Sequence, residues 1–276
     1  MPQQPAANPL GEPFIELPSV DSTNNYALSR VHAGLAQHGT AFFAHEQLAG
    51  KGQRGRLWKS NKDANIILSV VLDPAILSIQ QQFHLSACTA VAVQEFFSSL
   101  AGEETRIKWP NDLYWQDRKA GGILIENSVK ANRSDERKSQ GADNNPTSSG
   151  QDPAPGWKWA IVGIGININQ DQFSNDLPNP VSLRQITGKK YDPISLAKDL
   201  CVVLQQKLTL LGQKGFDPIY QEYLRHLYKI NQLIRLKKDN RSFEALLKSV
   251  SPSGRLVVEH GLEESFEWGE VEWVVR

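Results

Sequence analysis

The stretch KWPNDLYWQDRKAGGILIE, Lys108 to Glu126, places basic and polar residues around a turn between two apolar runs. Pro110 fixes its own φ and restricts the residue before it, so Asp112 is expected to leave the end of a strand in a defined direction. Lys119 lies across the predicted hairpin, and Gly122 would let a flat ligand approach the backbone. This pattern predicts a binding or catalytic site, although a plain turn with surface lysines remains an alternative.

A second segment, GKGQRGR from Gly50 to Arg56, combines glycines with basic side chains. Glycines permit positive φ and let successive N–H groups point inward, which is typical of a cradle for carboxylate or phosphate. The spacing does not match a Walker loop or a dinucleotide-binding fingerprint. A solvated basic loop or a nonspecific RNA contact would also fit this segment alone.

Two further segments carry polar residues beside buried ones. In GIGININ, Gly163 to Asn169, isoleucines alternate with glycine and asparagine, so one face of a strand is buried while the other could lie beneath a ligand. DSTNN, Asp21 to Asn25, precedes a predicted helix, where its plainest role is an N-cap.

Composition excludes several classes of function. The chain of 276 residues has 30 Lys and Arg against 30 Asp and Glu, so no overall field attracts it to nucleic acid or to an anionic membrane. No apolar run approaches the length of a membrane span and the N-terminal segment does not resemble a signal peptide, which predicts a cytoplasmic protein with no membrane partner. Cys88 and Cys201 are expected to be buried thiols, and the histidine spacing favours no zinc site.

The order of patterns predicts three regions. Residues 1–12 are Pro- and Gln-rich and are expected to be a disordered leader. Residues 13–227 alternate strand and helix patterns and form the main domain, within which 128–156 should be a mobile insert at a hairpin tip. Residues 228–276 change to short strands with period two, which predicts a small β-barrel.

Taken together and in this order, the four segments resemble biotin–protein ligase, from about Phe14 to Arg276. The resemblance implies an α+β fold, with a class II aminoacyl-tRNA synthetase-like mixed sheet and flanking helices, followed by an SH3-like barrel. It implies that biotin and ATP give biotinyl-5′-AMP, whose biotinyl group then passes to a lysine of a biotin carboxyl carrier protein. Mg²⁺ would be held through the substrate phosphates, with no dedicated protein cage.

The resemblance also assigns residues to roles. The catalytic residues implied are Lys119, Asp112 and Arg56. The biotin-binding residues implied are Ser22, Thr23, Asn24, Gln47, Lys51, Gly52, Gln53, Lys119 and Gly122. The residues implied for ATP and Mg²⁺ are Arg54, Arg56, Trp58, Lys108, Asn111 and Asn167.

Some features depart from the family pattern or leave alternatives open. Lys51 and Gln53 stand where family members often carry arginine, and no residue is identified that stacks on adenine. About a dozen residues precede the first predicted strand, so no DNA-binding module and no DNA partner are expected, while a free sheet edge could pair in a homodimer. A lipoate or octanoate ligase of the same superfamily, and a nonenzymatic RNA- or protein-binding module, are the alternative functions.

Overall fold

The computed structural model describes residues 8–129, 156–175 and 177–274. In these ranges the chain forms a seven-stranded mixed sheet with flanking helices, followed by a five-stranded antiparallel sheet. Most of the predicted insert, residues 130–155, lies outside the described residues, and its first two positions, 128 and 129, belong to a strand.

The large sheet has the order β1-β2-β3-β7-β6-β5-β4, and its first pair, β1 with β2, is parallel. The neighbouring pairs across the rest of the sheet are antiparallel. The strands are β1 (Phe14–Leu17), β2 (Ala41–Ala44), β3 (Ile66–Leu72), β4 (Thr105–Lys108), β5 (Asp112–Trp115), β6 (Arg118–Val129) and β7 (Trp157–Ile166).

Helices cover the two faces of this sheet unequally. Side chains such as Leu68 and Ile164 pack with α2 and α4 in the main core, while α1 packs over Phe42, Val71 and Ile161 in a smaller cluster on the other face. At the end of this face, Asn24 of α1 lies against Gly163 of β7, and Trp58 lies against Gly165. The helices are α1 (Thr23–His32), α2 (Gln82–Ala101), α3 (Leu183–Thr187), α4 (Pro193–Lys214) and α5 (Asp217–Arg225).

Local signals explain where α4 and α5 meet. Asp192 caps α4 by accepting from the N–H groups of the second and third helical residues, and Gly215, at φ +75°, ends it. The sequence also predicts breaks at Gly212 and Pro218, and both predictions are wrong. Gly212 lies inside α4, and Pro218 lies in the first turn of α5, where its missing N–H costs no helical hydrogen bond.

The predicted leader is ordered in the part that the structure describes, from residue 8 onward. Leu10 is buried in the main core, and the Gly11 N–H donates to the Gly39 carbonyl at 2.8 Å. A single apolar side chain that enters the core is enough to fix this short segment. The two cysteines are free and buried, as the sequence predicts. No helix in the described part of the chain is long and apolar enough for a bilayer crossing.

The second sheet has the order β11-β10-β9-β8-β12. The sequence predicts one strand in SFEWGEVEWVV, but the structure divides it, because Gly269 at φ +99° turns the chain after β11. The junction also adds to the large sheet: the Ile107 N–H donates to the His226 carbonyl, and the Tyr228 N–H donates to the Ile107 carbonyl. Its strands are β8 (Leu233–Lys238), β9 (Arg241–Val250), β10 (Leu256–His260), β11 (Leu262–Phe266) and β12 (Glu272–Val274).

Candidate functional site

The register of the central strands places glycines together on the face of the sheet that carries α1. Gly122 of β6 lies opposite Gly165 of β7, and Gly163 lies two residues farther along the same face. A Cβ on Gly163 would lie 2.4 Å from Asn24 Oδ1, and one on Gly165 would lie 2.7 Å from the Trp58 ring. We call Gly122, Gly163 and Gly165 the glycine floor. Glycine is needed at Gly163 and Gly165 because the side chains of Asn24 and Trp58 lie directly on the backbone there.

A β-bulge brings Lys119 to this floor. In a regular strand, Lys119 and Gly122 would face opposite sides of the sheet, since they are three positions apart and successive residues alternate between the two faces. The pairing of β5 with β6 shifts between Leu113 and Tyr114, so that Tyr114 lies opposite Lys119. Lys119 Nζ consequently donates to Asp112 Oδ1 at 2.6 Å, and a Cβ on Gly122 would touch both side chains. The predicted grouping of these three residues is present.

Thr23 and Gln47 meet at the start of α1. The Thr23 N–H donates to Gln47 Oε1 at 2.9 Å, and the Thr23 hydroxyl donates to the same oxygen at 3.3 Å. Ser22 is the buried N-cap residue, and its side chain forms no capping hydrogen bond. Of the four residues predicted to meet the polar ring of biotin, Ser22, Thr23 and Gln47 therefore lie side by side, at the positive end of a helix.

Asn24 is held by protein partners on all sides. Its Oδ1 accepts from Ser69 Oγ at 2.6 Å, and its Nδ2 donates to Glu126 Oε2 at 2.9 Å and to the Leu124 carbonyl at 3.2 Å. Because the amide is fully paired, we interpret Asn24 as a residue that shapes the pocket. Sequence reasoning missed Ser69 and Glu126. The one polar residue in the buried run IILSVVL was a usable signal for Ser69.

The GKGQRGR loop is folded back on itself and tied to β6. The Gly52 N–H donates to the Arg56 carbonyl at 2.7 Å, Lys51 Nζ lies 3.4 Å from Glu126 Oε1, and Gln53 Nε2 donates to the Ile123 carbonyl at 3.4 Å. Gln53 Oε1 is buried and has no hydrogen-bond partner among the described residues.

Positive φ occurs in this loop at Arg54 and Gly55. Gly50 serves a different purpose from the one predicted: a Cβ there would lie 2.3 Å from the Trp58 carbonyl. The loop thus needs glycine at Gly50 for close approach rather than for its backbone conformation.

The two predicted asparagines donate to main-chain groups. Asn111 Nδ2 donates to the Ile123 carbonyl, and Asn167 Nδ2 donates to the Val181 carbonyl at 3.1 Å. Both are buried, so each fixes the ends of the strands beside Lys119. Among the described residues, no group of three or more His, Cys, Asp or Glu side chains is arranged to hold a metal ion.

Several known proteins are similar to this chain in sequence. Residues 16–137 match the model of the Biotin/lipoate A/B protein ligase family. A biotin–[acetyl-CoA-carboxylase] ligase from Mycobacterium tuberculosis is 36% identical over 244 residues, covering 87% of this chain and 80% of that protein. The chain belongs to the biotin protein ligase family. Bifunctional ligase/repressor BirA from Escherichia coli is 29% identical over 262 residues, with 92% of this chain and 72% of BirA covered.

The solved structure of biotin protein ligase from Aquifex aeolicus in complex with biotin and ATP has the same fold. It superposes with a TM-score of 0.73 at 23% identity, covering 95% of this chain and 98% of that one. The family model includes the DSTNN, GKGQRGR and KWPND segments, while GIGININ lies beyond it. The four segments that the sequence groups by resemblance to biotin protein ligase are therefore also grouped in space.

In this family member, the C-terminal sheet reaches the predicted phosphate-binding cations. Arg54 Nη2 donates to the Gly269 carbonyl at 3.0 Å, and Arg56 Nη2 lies 3.6 Å from Glu272 Oε1. Lys108 is buried, and burial lowers its pKa to about 8, an effect that the Asp112 charge partly opposes. Sequence reasoning missed the whole contribution of residues 268–273, because it depends on contacts between segments more than 150 positions apart.

Two cavities of about 290 and 230 Å³ open elsewhere, at the junction of the two sheets, with Tyr228 and Lys229 lining both. Neither of these cavities includes a residue of the glycine floor. We nevertheless place the candidate site on the floor, because the Lys119–Asp112 pair and the basic GKGQRGR loop lie beside it. Over the floor, the Trp58 ring and Asn24 occupy the space that the flat backbone provides.

Proposed function

We propose that this chain activates biotin with ATP to biotinyl-5′-AMP and transfers the biotinyl group to a lysine of a biotin carboxyl carrier protein. The observation that carries this proposal is the Lys119–Asp112 pair, held at 2.6 Å against Gly122. This pair would supply a cation and a carboxylate to both half-reactions.

The first half-reaction joins two anions. A biotin carboxylate oxygen attacks the α-phosphorus of ATP, a P–O bond forms, and the P–O bond to the β-phosphate breaks to release pyrophosphate. Two negative charges about 4 Å apart repel by roughly 4 kcal/mol at an effective dielectric near 20, which would slow the step about a thousandfold. Lys119, Arg54, Arg56 and Lys108 are the cations available to offset that repulsion.

The second half-reaction needs a base. The amine nitrogen of the acceptor lysine attacks the biotinyl carbonyl carbon, the C–O bond to AMP breaks, and AMP leaves. We assign the proton from the amine to Asp112. Lys119 forms an ion pair with Asp112. If Lys119 turns toward the adenylate, the Asp112 carboxylate becomes available to the incoming amine. One residue pair would then serve both steps.

Biotin is assigned to the start of α1 and to the backbone of Lys51, Gly52 and Gln53. The buried Thr23 and the half-buried Gln47 support this, since a buried ureido ring needs side-chain partners. The relative from Mycobacterium tuberculosis described above is named as a ligase for biotin, which favours biotin over lipoate.

Mg²⁺ would act by neutralising charge on the ATP phosphates. Phosphate oxygens and waters would hold the ion, as is usual for Mg²⁺, without a dedicated protein cage. We also propose that the large sheet is of the class II aminoacyl-tRNA synthetase type and that the second sheet is an SH3-like barrel. The mixed order of the large sheet and the five antiparallel strands of the second support these assignments.

The proposal is tested by biotin-dependent exchange between pyrophosphate and ATP. We expect exchange with biotin and none with lipoate, followed by biotin transfer to an isolated carrier domain. Lys119→Ala should reduce exchange by about a thousandfold while the thermal melt stays near that of the wild type. Exposed Lys189 provides the matched control, since Lys189→Ala should retain full exchange. Exchange that depends on lipoate alone, or that survives Lys119→Ala, would contradict the proposal.

A further inference from the structure

The ammonium group of Lys108 lies among aromatic rings that come from both sheets. Its Nζ atom is 5.0 Å from the centroid of the Trp273 ring and 5.6 Å from that of the Tyr114 ring. Lys108 is only 8% exposed, which is rare for a lysine. A cation over ring faces with little water around it is attracted by the ring quadrupole. We call Tyr114, Tyr228 and Trp273 the aromatic cage.

The cage is fixed by the junction between the two sheets. Tyr228 lies between the other rings, with centroids 5.1 Å from Tyr114 and 5.8 Å from Trp273. Its N–H donates to the carbonyl of Ile107, the residue before Lys108, at 2.8 Å. Trp273 itself is held by the pairing of β12 with β8. The ring that faces Lys108 is therefore attached to a strand of the second sheet.

We propose that Trp273 is a positioning residue for adenylation, whose ring holds the Lys108 ammonium where it meets a phosphate of ATP. This inference rests on the proposed function, in which Lys108 belongs to the nucleotide site. Trp273 does not touch the reacting atoms and acts through Lys108. The second sheet would then take part in the chemistry by supplying one wall of the site.

The charges around Lys108 agree with this role. Burial lowers its pKa to about 8, the Asp112 carboxylate raises it, Lys119 and Arg56 lower it further, and Glu272 raises it. These groups come from β5, β6, the GKGQRGR loop and β12. A phosphate that arrives beside Lys108 would favour its charged form. Because the ring quadrupole favours the ammonium form, loss of the Trp273 ring would lower the pKa of Lys108 further.

Two substitutions separate the ring from the rest of the strand. Trp273→Leu removes the aromatic face, and Trp273→Phe keeps one. We expect the KM for ATP in biotin-dependent exchange to rise about tenfold in Trp273→Leu, with kcat changed by less than about twofold, and to recover largely in Trp273→Phe. Trp159→Leu is the matched control, because Trp159 packs in the separate cluster beneath α1.

A second measurement does not depend on enzymatic turnover. The intact, ligand-free chain is labelled with a trace amine-reactive acylating reagent over a range of pH, and the modified peptides are quantified by mass spectrometry. Lys108 should titrate near pH 8 in the wild type and at a lower pH in Trp273→Leu, while the labelling of exposed Lys189 should be the same in both proteins.

The outcomes distinguish the two proposals. A wild-type chain with no biotin-dependent exchange would overturn the proposed function, and the labelling would still test the cage. An active chain in which Trp273→Leu leaves both the KM for ATP and the Lys108 titration unchanged would overturn this inference alone. If Trp273→Leu does not fold, Trp273→Phe and the wild-type labelling decide: a wild-type Lys108 that titrates near the unperturbed lysine value of about 10.4 refutes the cage.

Discussion

The glycine floor allows a quantitative prediction for Gly165→Ala. The added Cβ would lie 2.7, 2.8 and 3.1 Å from three carbons of the Trp58 ring. Carbon atoms in contact prefer about 3.5–4.0 Å, so the ring must withdraw by roughly 0.8 Å or more. Overpacking of this kind costs about 1–3 kcal/mol. Since Trp58 follows directly on the GKGQRGR loop, we expect the loop to absorb the displacement.

If that cost falls on the conformation that binds substrate, the affinity for biotin and ATP should drop by about 5- to 150-fold. Calorimetry with biotin and the KM for ATP in pyrophosphate exchange measure the two effects. Gly212→Ala is the control, since its Cβ would find no atom closer than Ile76 Cδ1 at 3.7 Å and its site is helical. That substitution should stabilise the fold by up to about 1 kcal/mol and leave activity unchanged.

The two glycines also separate a local effect from a general one. Wild-type affinity and wild-type tryptophan fluorescence in Gly165→Ala would mean that Trp58 does not rest on the floor, and the account of the site would have to change. A loss of the same size in Gly212→Ala would mean that the assay reports stability rather than loop position.

Two further predictions concern Lys108 and Asp112, which lie beside the floor. The pKa of Lys108 falls from 10.5 to about 8 on folding, so the unfolded chain binds more protons between these values and the free energy of unfolding should rise with pH there. Lys108→Met should raise the free energy of unfolding by roughly 3 kcal/mol near pH 7 and lose that advantage near pH 10, as denaturant melts would show. A gain independent of pH would contradict burial of the charge. Asp112→Asn should slow transfer from preformed adenylate more than pyrophosphate exchange, and equal losses in both half-reactions would remove Asp112 as the base.

Much of this arrangement follows from short-range patterns. The long helix predicted at Gln80–Leu100 is observed at Gln82–Ala101, because its apolar residues recur at helical spacing over several turns. The alternation in GIGININ correctly predicts that Ile164 and Ile166 enter the core while the glycines face the other way. Such elements are predictable since each is decided by neighbours within a few residues.

The remainder depends on register and on distant contacts. No pattern within KWPNDLYWQDRKAGG reveals the bulge that turns Lys119 toward Gly122, because a bulge is a property of the strand pair. Asn24 appears from sequence to be free for a ligand, but its amide is occupied by Ser69 and Glu126. The reach of Trp273 to Lys108 requires knowing how the two sheets meet.

The site also shows how a chain with no net charge can bind a polyanion. Three cations that are assigned to substrate form ion pairs with carboxylates of the protein: Lys119 with Asp112, Lys51 with Glu126 and Arg56 with Glu272.

The pairs involving Lys51 and Arg56 are substantially exposed, and exposed ion pairs contribute only about 0–1 kcal/mol, so phosphate and carboxylate groups can displace them at little cost. The Lys119 pair is shorter and more buried, and it should be the last to exchange. Because Lys108 faces rings instead of a close carboxylate, it offers substrate phosphate a positive charge that is not already held in an ion pair.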